Sequence, residues 1–480
     1  MIQANSFIGR QEEINLLEKY YSSDKSEFVA VYGRRRVGKT YLVRSTLSDR
    51  FDFEFSGMYQ VAAKLQRREF QKALDQRSGL KGRLPSDWFD AFDHLKSYLL
   101  ALGKERVVVF LDELPWMDTQ KSNFLAALSS FWNGWHEKTI LKLFVCGSAT
   151  TWMVNRLIGD QGGLYGRISR AIYLAPFNLL ETREYLNQIQ DMNFDNRQVL
   201  ETYMIFGGIP YYLDMLDNEL PLSVNVDNLL FAENAPLRTE YEFLFRSLFK
   251  GSVNYRRVVE LLSTKLTGLT REDIAKETDL TGGELTKVLS NLELCDFIRS
   301  YSAPQKKERN KTYQLTDMFS LFYLRFISKG SGQDEHYWTK SAESGKKNAW
   351  SGYAFEQVCL HHLSQIKQKL GISGILSNAY AWNLKSYTDL DGNLWEGAQI
   401  DLIIDRSDRV MNLCEMKYSQ DEYVIDKGYA DTLRARAETF RRHEKCRKNL
   451  RCTFVTLYGV KNNRYSNIVD DQIQLDDLFN

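Results

Sequence analysis

Proline is scarce in this chain, with seven in 480 residues against 29 glycines, which excludes a collagen-like or Pro/Gly-rich disordered polypeptide. Cysteine is sparse too. The six, at positions 146, 295, 359, 414, 446 and 452, form no C-x-x-C pair. They read as reduced, mostly buried thiols and not as a disulfide frame or a zinc site. Histidine offers no metal-ligand spacing beyond the neighbours His361 and His362. Adjacent helical residues point about 100° apart, so that pair is a poor chelate. An excess of charge of one sign is missing as well: 63 basic residues face 62 acidic ones, a formal net charge of +1. Only local clusters can therefore speak for a nucleic-acid partner. Apolar runs such as Val107–Leu111 are far too short to span a bilayer. The opening MIQANSFIGRQEEINLL lacks the basic-then-apolar order of a secretory signal. A cytoplasmic protein without a membrane segment is expected. There is no internal repeat and no low-complexity stretch.

What remains is an ordinary globular composition, 43% hydrophobic and 26% charged, on a chain long enough for several domains. Apolar runs at 28–33, 51–59, 107–111 and 140–147 alternate with amphipathic stretches at 88–102 and 120–137. This pattern predicts an α/β fold, a parallel sheet covered on both faces, over residues 1–176. Residues 177–250 read as a small helical lid, interrupted at Gly207-Gly208-Ile209-Pro210. Residues 251–328 read as a winged helix: a helix at 254–265, helices started by Thr270 and capped by Thr281, and a ribbon at 297–301 and 312–315. Its basic loop carries Lys306, Lys307, Arg309 and Lys311. The polar stretch 329–348 reads as a linker. Residues 349–480 form a further α/β domain, with a long helix Trp350–Lys369, strands near 375–382, 394–404, 410–417 and 452–458, and a basic helix at 430–448.

The sharpest motif is GRRRVGKT at 33–40, which fits G-x-x-x-x-G-K-[ST] between a strand and a helix. Gly33 and Gly38 let the backbone wrap closely, so that the N–H groups of Arg34, Arg35, Arg36 and Val37 and the helix start at Lys39, Thr40 and Tyr41 face a polyphosphate. Lys39 is placed for the β- and γ-phosphates of ATP, and the Thr40 hydroxyl for Mg²⁺. In VVVFLDE, Asp112 would hold the magnesium, and Glu113 would orient and deprotonate the attacking water.

These two Walker motifs, with a polar residue, Ser148, ending the next strand, resemble the AAA+/STAND ATPases, and best the archaeal-type ATPases that are also common in bacteria. The resemblance covers about residues 5–325. It implies that Ile8, Gly9 and Arg10 in FIGRQEEINLL lie near the adenine. It also implies that Arg167, or failing it Arg170, reaches a neighbouring subunit's γ-phosphate, and that Pro210 belongs to the lid turn. A nucleotide-dependent homo-oligomer would follow.

In the C-terminal segment Asp401 ends EGAQID, and Glu415 and Lys417 lie two apart in NLCEMKYS. On a strand, residues two apart share a face. Two carboxylates can bind Mg²⁺ or Mn²⁺, and the lysine can orient the water attacking a phosphodiester. Glu356 on the preceding helix adds a third carboxylate. The letters alone are common, but their order along helix and strands resembles the PD-(D/E)xK, restriction-endonuclease-like fold, which implies roles for Glu356, Asp401, Glu415 and Lys417. The stretch 434–451 carries Arg434, Arg436, Arg441, Arg442, Lys445, Arg447, Lys448 and Arg451 against Glu438 and Glu444, either a phosphate-tracking face or a solvated one. Three functions remain open: an ATP-regulated, metal-dependent nuclease acting on DNA or other nucleic acid; an ATP-driven assembly switch; and a DNA-binding regulator.

Overall fold

The β-branched and aromatic run EFVAVY forms β1 (Glu27–Tyr32), and four similar runs form β2 (Phe53–Ser56), β3 (Arg106–Asp112), β4 (Ile140–Gly147) and β5 (Arg170–Tyr173). They build one parallel sheet in the order β2-β3-β4-β1-β5. The computed structural model describes residues 8–249, 251–265, 267–301, 311–328, 334–341, 344–388 and 394–480. The central strands β1, β3 and β4 are apolar on both faces because helices cover both. Helices Ala63–Ser78, Trp88–Ala101 and Phe124–Asn133 pack an aromatic cluster of Phe70, Trp88, Phe92 and Phe124 against the sheet. Asp87 starts the second of these helices by accepting the Asp90 N–H. The order of strands has a functional consequence. β4 lies between β3 and β1, so the ends of all three open on one edge of the sheet, side by side.

The chain divides into two compact units between Pro176 and Phe177. The second begins with the segment read as a lid. Here Phe177 N–H donates to the Gly208 carbonyl at 2.6 Å, and a Cβ on Gly208 would lie 1.9 Å from the Phe177 oxygen. Only glycine permits that approach. Pro210 occupies the first turn of the short helix Pro210–Leu213, where its missing N–H costs nothing.

Helices Ser252–Ser263, Arg271–Thr278 and Gly282–Leu294 follow, with a three-stranded antiparallel sheet of β6 (Leu269–Thr270), β7 (Ile298–Tyr301) and β8 (Thr312–Leu315) in the order β6-β8-β7. Thr270 caps its helix through a reciprocal bond pair with Asp273, whereas Thr281 stands at the cap position of the next without a side-chain bond. Lys306, Lys307 and Arg309 of the expected wing loop lie outside the described residues.

The linker expected at 329–348 is corrected where it is described. Its helix Tyr337–Lys340 is clamped by the buried Asp227 carboxylate, which accepts from the N–H of Trp338 at 2.8 Å and from Thr339 N–H and hydroxyl. The single long helix expected over 350–369 is two: Gly345–His361, capped by Ser344, and Leu363–Lys369. The break falls at His362. Its Nε2 accepts the Leu179 N–H at 2.9 Å and its Nδ1 contacts the Val358 carbonyl, so the histidine is a structural post.

The last sheet joins β9 (Ser377–Leu384), β12 (Ala398–Arg406), β13 (Val410–Lys417), β14 (Asn449–Thr456) and β15 (Asp471–Ile473), with a small hairpin of β10 (Tyr387–Thr388) and β11 (Leu394–Trp395) beside it. The order is β15-β14-β13-β12-β9; β9, β12 and β13 pair antiparallel, and β13, β14 and β15 parallel. The helix Lys427–His443 spans the parallel crossover from β13 to β14. Among the described residues no helix is long and apolar enough to cross a membrane.

Candidate functional site

The loop after β1 turns through a positive φ at Gly33 (149°), Arg36 (73°) and Gly38 (89°). Such alternation curls successive N–H groups toward one point, the concavity that binds anions. Gly33 is also held by contact: a Cβ there would lie 2.3 Å from the Leu174 carbonyl oxygen. The next helix, Lys39–Leu47, starts without a side-chain cap and without an acidic residue in its first turn. Its N–H groups and dipole are thus reserved for an anion. Arg34 and Val37 are buried, Arg35 and Arg36 half-buried, and Tyr41 is exposed. The buried Lys39 ammonium donates to the Gly33 and Arg34 carbonyls at 3.0 and 2.8 Å, which fixes it under the loop. Burial lowers its pKa, an effect opposed by Glu113, Cys146 and Asp112.

The ends of β3 and β4 complete the site. The Thr40 hydroxyl lies 3.0 Å from both Asp112 carboxylate oxygens, and Ser56 at the end of β2 reaches the same carboxylate at 3.3 Å. Burial, then the charge of Glu113, raises the Asp112 pKa, while the Thr40 bond opposes the rise. Hydroxyl and carboxylate are the hard oxygen donors a magnesium ion takes, so Thr40 and Asp112 fit one. Glu113 stands in the left-handed region at φ 45°. Its Oε2 accepts from the Ser148 N–H at 3.0 Å and the Ser148 hydroxyl at 2.8 Å. The second acidic residue is therefore aimed by the strand that separates it from the P-loop. Ser56 was not singled out from sequence; its signal, a serine closing the strand next to β3, is legible only once strand order is known.

Gly9 and Arg10 both take positive φ ahead of the helix Gln11–Ser22, with Ile8 half-buried before them. The buried Arg10 donates to the Ala175 carbonyl, next to the Leu174 carbonyl that faces Gly33. This ties Gly9 and Arg10 to the foot of the P-loop. Arg167 and Arg170 are exposed and are not brought to the loop. Arg170 pairs with Val29, three residues below the strand ends, roughly 10 Å at the usual rise. Pro210 belongs to the second unit.

In the last sheet β12 and β13 pair at Leu402–Cys414, so the next position along each strand sets Asp401 opposite Glu415. A register shift between Ile400 and Ile403 re-aims this stretch of β12. Glu356, on the helix Gly345–His361, shares the field of these groups. Burial, then Asp401, pushes its carboxyl up to about 8, with Lys417 opposing. Burial, then Glu415, pushes Asp401 up to about 6, with Lys417 and Arg436 opposing. Glu415 itself pairs with Arg436, accepts the Tyr429 hydroxyl at 2.8 Å and lies 3.3 Å from Lys417 Nζ. Mutually repelling carboxylates are the donor chemistry of a divalent cation. Yet among the described residues no three His, Cys, Asp or Glu side chains are grouped so as to hold one. Tyr429 and Arg436 went unremarked as partners of Glu415, although their seven-residue spacing puts both on one helix face. The basic stretch is also less free than its letters imply. Arg434 pairs with Asp431, Lys448 with Asp405 and Arg451 with Asp471.

Residues 7–216 match the family described as an ATPase domain predominantly from Archaea. An uncharacterized protein of Methanocaldococcus jannaschii is 24% identical over 366 residues, 75% of this chain and 78% of that one. An uncharacterized ATP-binding protein of the same organism is 41% identical over 44 residues, 9% of this chain and 75% of that one. Among solved structures, the Walker-type ATPase of Pyrococcus abyssi is similar at 21% identity, over 66% of this chain and 96% of that one, with a TM-score of 0.48. The chain carries an ATPase domain of the archaeal type.

Proposed function

We propose that this archaeal-type ATPase domain binds ATP with magnesium, hydrolyses it, and uses the nucleotide state to govern the second unit. The observation that carries the reading is the meeting of Thr40, Asp112, Glu113 and Ser148 at adjacent strand ends above a buried Lys39. Lys39 and the loop N–H groups would hold the β- and γ-phosphates. Thr40 and Asp112 would hold Mg²⁺, which supplies charge neutralisation at the transferring phosphoryl group. Glu113, aimed by Ser148, would orient the water and take its proton. Ile8, Gly9 and Arg10 would lie near the base. The decisive test is phosphate release with Glu113→Gln beside nucleotide binding with Lys39→Ala.

In the same reading the segment 251–328 is a winged helix that contacts DNA, and 349–480 is a PD-(D/E)xK-like domain. Glu356, Asp401 and Glu415 would hold Mg²⁺ or Mn²⁺, which activates water for phosphodiester attack, and Lys417 would orient that water. The supporting observation is the electrostatic meeting of these four residues. Cleavage of DNA or RNA that depends on metal and is lost in Glu415→Ala supports it; intact substrates under every metal and nucleotide condition count against cutting. A second reading is an ATP-driven assembly switch. The exposure of Arg167 and Arg170, away from their own P-loop, favours a role toward a second copy. ATP-dependent oligomers without cleavage would favour this switch.

A further inference from the structure

Glu415 carries an unusual load for a metal ligand. One carboxylate oxygen pairs with the Arg436 guanidinium; the other accepts the Tyr429 hydroxyl and faces Lys417. Glu415 is almost fully buried, and Arg436 is half-buried. A guanidinium bound to a carboxylate oxygen competes with any other cation for it, by charge and by hydrogen-bond geometry. Glu356 and Asp401 have no such bound guanidinium; each is held up by its carboxylate neighbours.

Arg436 also has somewhere to go. It lines a cavity of about 280 Å³ between the helix Lys427–His443 and the sheet, whose walls include Leu413, Leu433 and Leu450. Glu438 and Asp470 line the same space and offer other carboxylates to a guanidinium that leaves Glu415. Arginine is matched to such exchange: its planar fork pairs equally well with any carboxylate of suitable approach.

We propose that Arg436 is a built-in cation that latches Glu415, and that a divalent metal loads the C-terminal site by displacing it into the adjoining cavity. This rests on the reading of Glu356, Asp401 and Glu415 as a metal site. It makes Arg436 a positioning residue: when paired it keeps Glu415 turned to the helix, and when displaced it releases the third carboxylate. Tyr429 is the weaker second tie.

The test is a titration of the nucleotide-free full chain with Mn²⁺ alone, followed by the electron paramagnetic resonance signal of free Mn²⁺. The wild-type chain is compared with Arg436→Met, Tyr429→Phe and Arg436→Met/Glu415→Gln. Arg436→Met is expected to tighten Mn²⁺ binding by about tenfold or more, and the gain to vanish when Glu415→Gln is added. Tyr429→Phe, which spares the ion pair and guards against a misfolded Arg436 variant, should tighten it by roughly two- to threefold. If wild type and Arg436→Met bind Mn²⁺ equally, with binding lost in Glu415→Gln, the metal site stands and the latch is overturned. If no variant shows binding that depends on Glu415, the metal-site reading falls and the latch with it.

Discussion

The two acidic clusters of this chain sit alike at strand ends, yet they balance charge in opposite ways. Around the P-loop each charged group has its own neutral or oppositely charged partner. Asp112 has Thr40 and Ser56, Glu113 has Ser148, and Lys39 has two carbonyls. In the C-terminal sheet the carboxylates face one another, and the cations gather on Glu415 alone. A pre-bonded site spends little reorganisation when its ligand arrives. A self-repelling one stores the affinity it will show a cation. The first cluster is thus built to act, the second to be acted upon.

Four changes would break or sharpen that contrast. Glu113→Gln should cost the largest factor, on the order of 10²–10⁴ in turnover, while ATP binding stays within about threefold, as phosphate release and calorimetry will tell. Unchanged hydrolysis would remove Glu113 from its role. Lys39→Ala should weaken ATP binding on the order of a hundredfold, since the loop loses its only buried ammonium contact to the phosphates. Binding that survives would mean the loop amides suffice.

The third change concerns stability in the other cluster. The folded Glu356 pKa, about 8, lies above the ordinary glutamate value of 4.5, so its protonated form is the one the fold favours. That contribution is complete below about pH 4.5 and is lost as pH rises through 8. Glu356→Gln should flatten this slope and stabilise the chain by roughly 1–3 kcal/mol at pH 8.5. A parallel pH profile in urea unfolding would show that Glu356 is not in the repelling cluster. The smallest effect is expected from Ser148→Ala, about a tenfold loss in kcat with KM unmoved, because the Ser148 backbone N–H still holds Glu113. A change in KM alone would assign Ser148 to nucleotide binding instead.

How much of this was legible in the letters depends on how local the cause is. The P-loop, the Asp112–Glu113 pair and the strand Val410–Lys417 follow from short runs whose periodicity and end residues lie within a few positions. The positive φ of Arg36 does not, since nothing in arginine favours it. The bulge beside Asp401 and the Asp227 clamp are likewise long-range facts: each depends on a partner strand or helix far along the chain. The basic stretch misleads for the same reason. Lys448 and Arg451 look free until β12 and β15 bring Asp405 and Asp471 beside them.

The left-handed backbone at Glu113 has a consequence for any laboratory selection on this chain. A non-glycine residue there carries strain on the order of 1 kcal/mol, which the neighbouring close contacts impose and the side chain's own bonds to Ser148 only partly offset. Gly57 shares the constraint, for a Cβ on it would lie 2.6 Å from the Glu113 carbonyl oxygen. Variants sorted for heat tolerance alone should therefore drift toward glycine or asparagine at position 113 and yield proteins that endure longer and do nothing. Directed evolution of a hardier form would need to score turnover in every round.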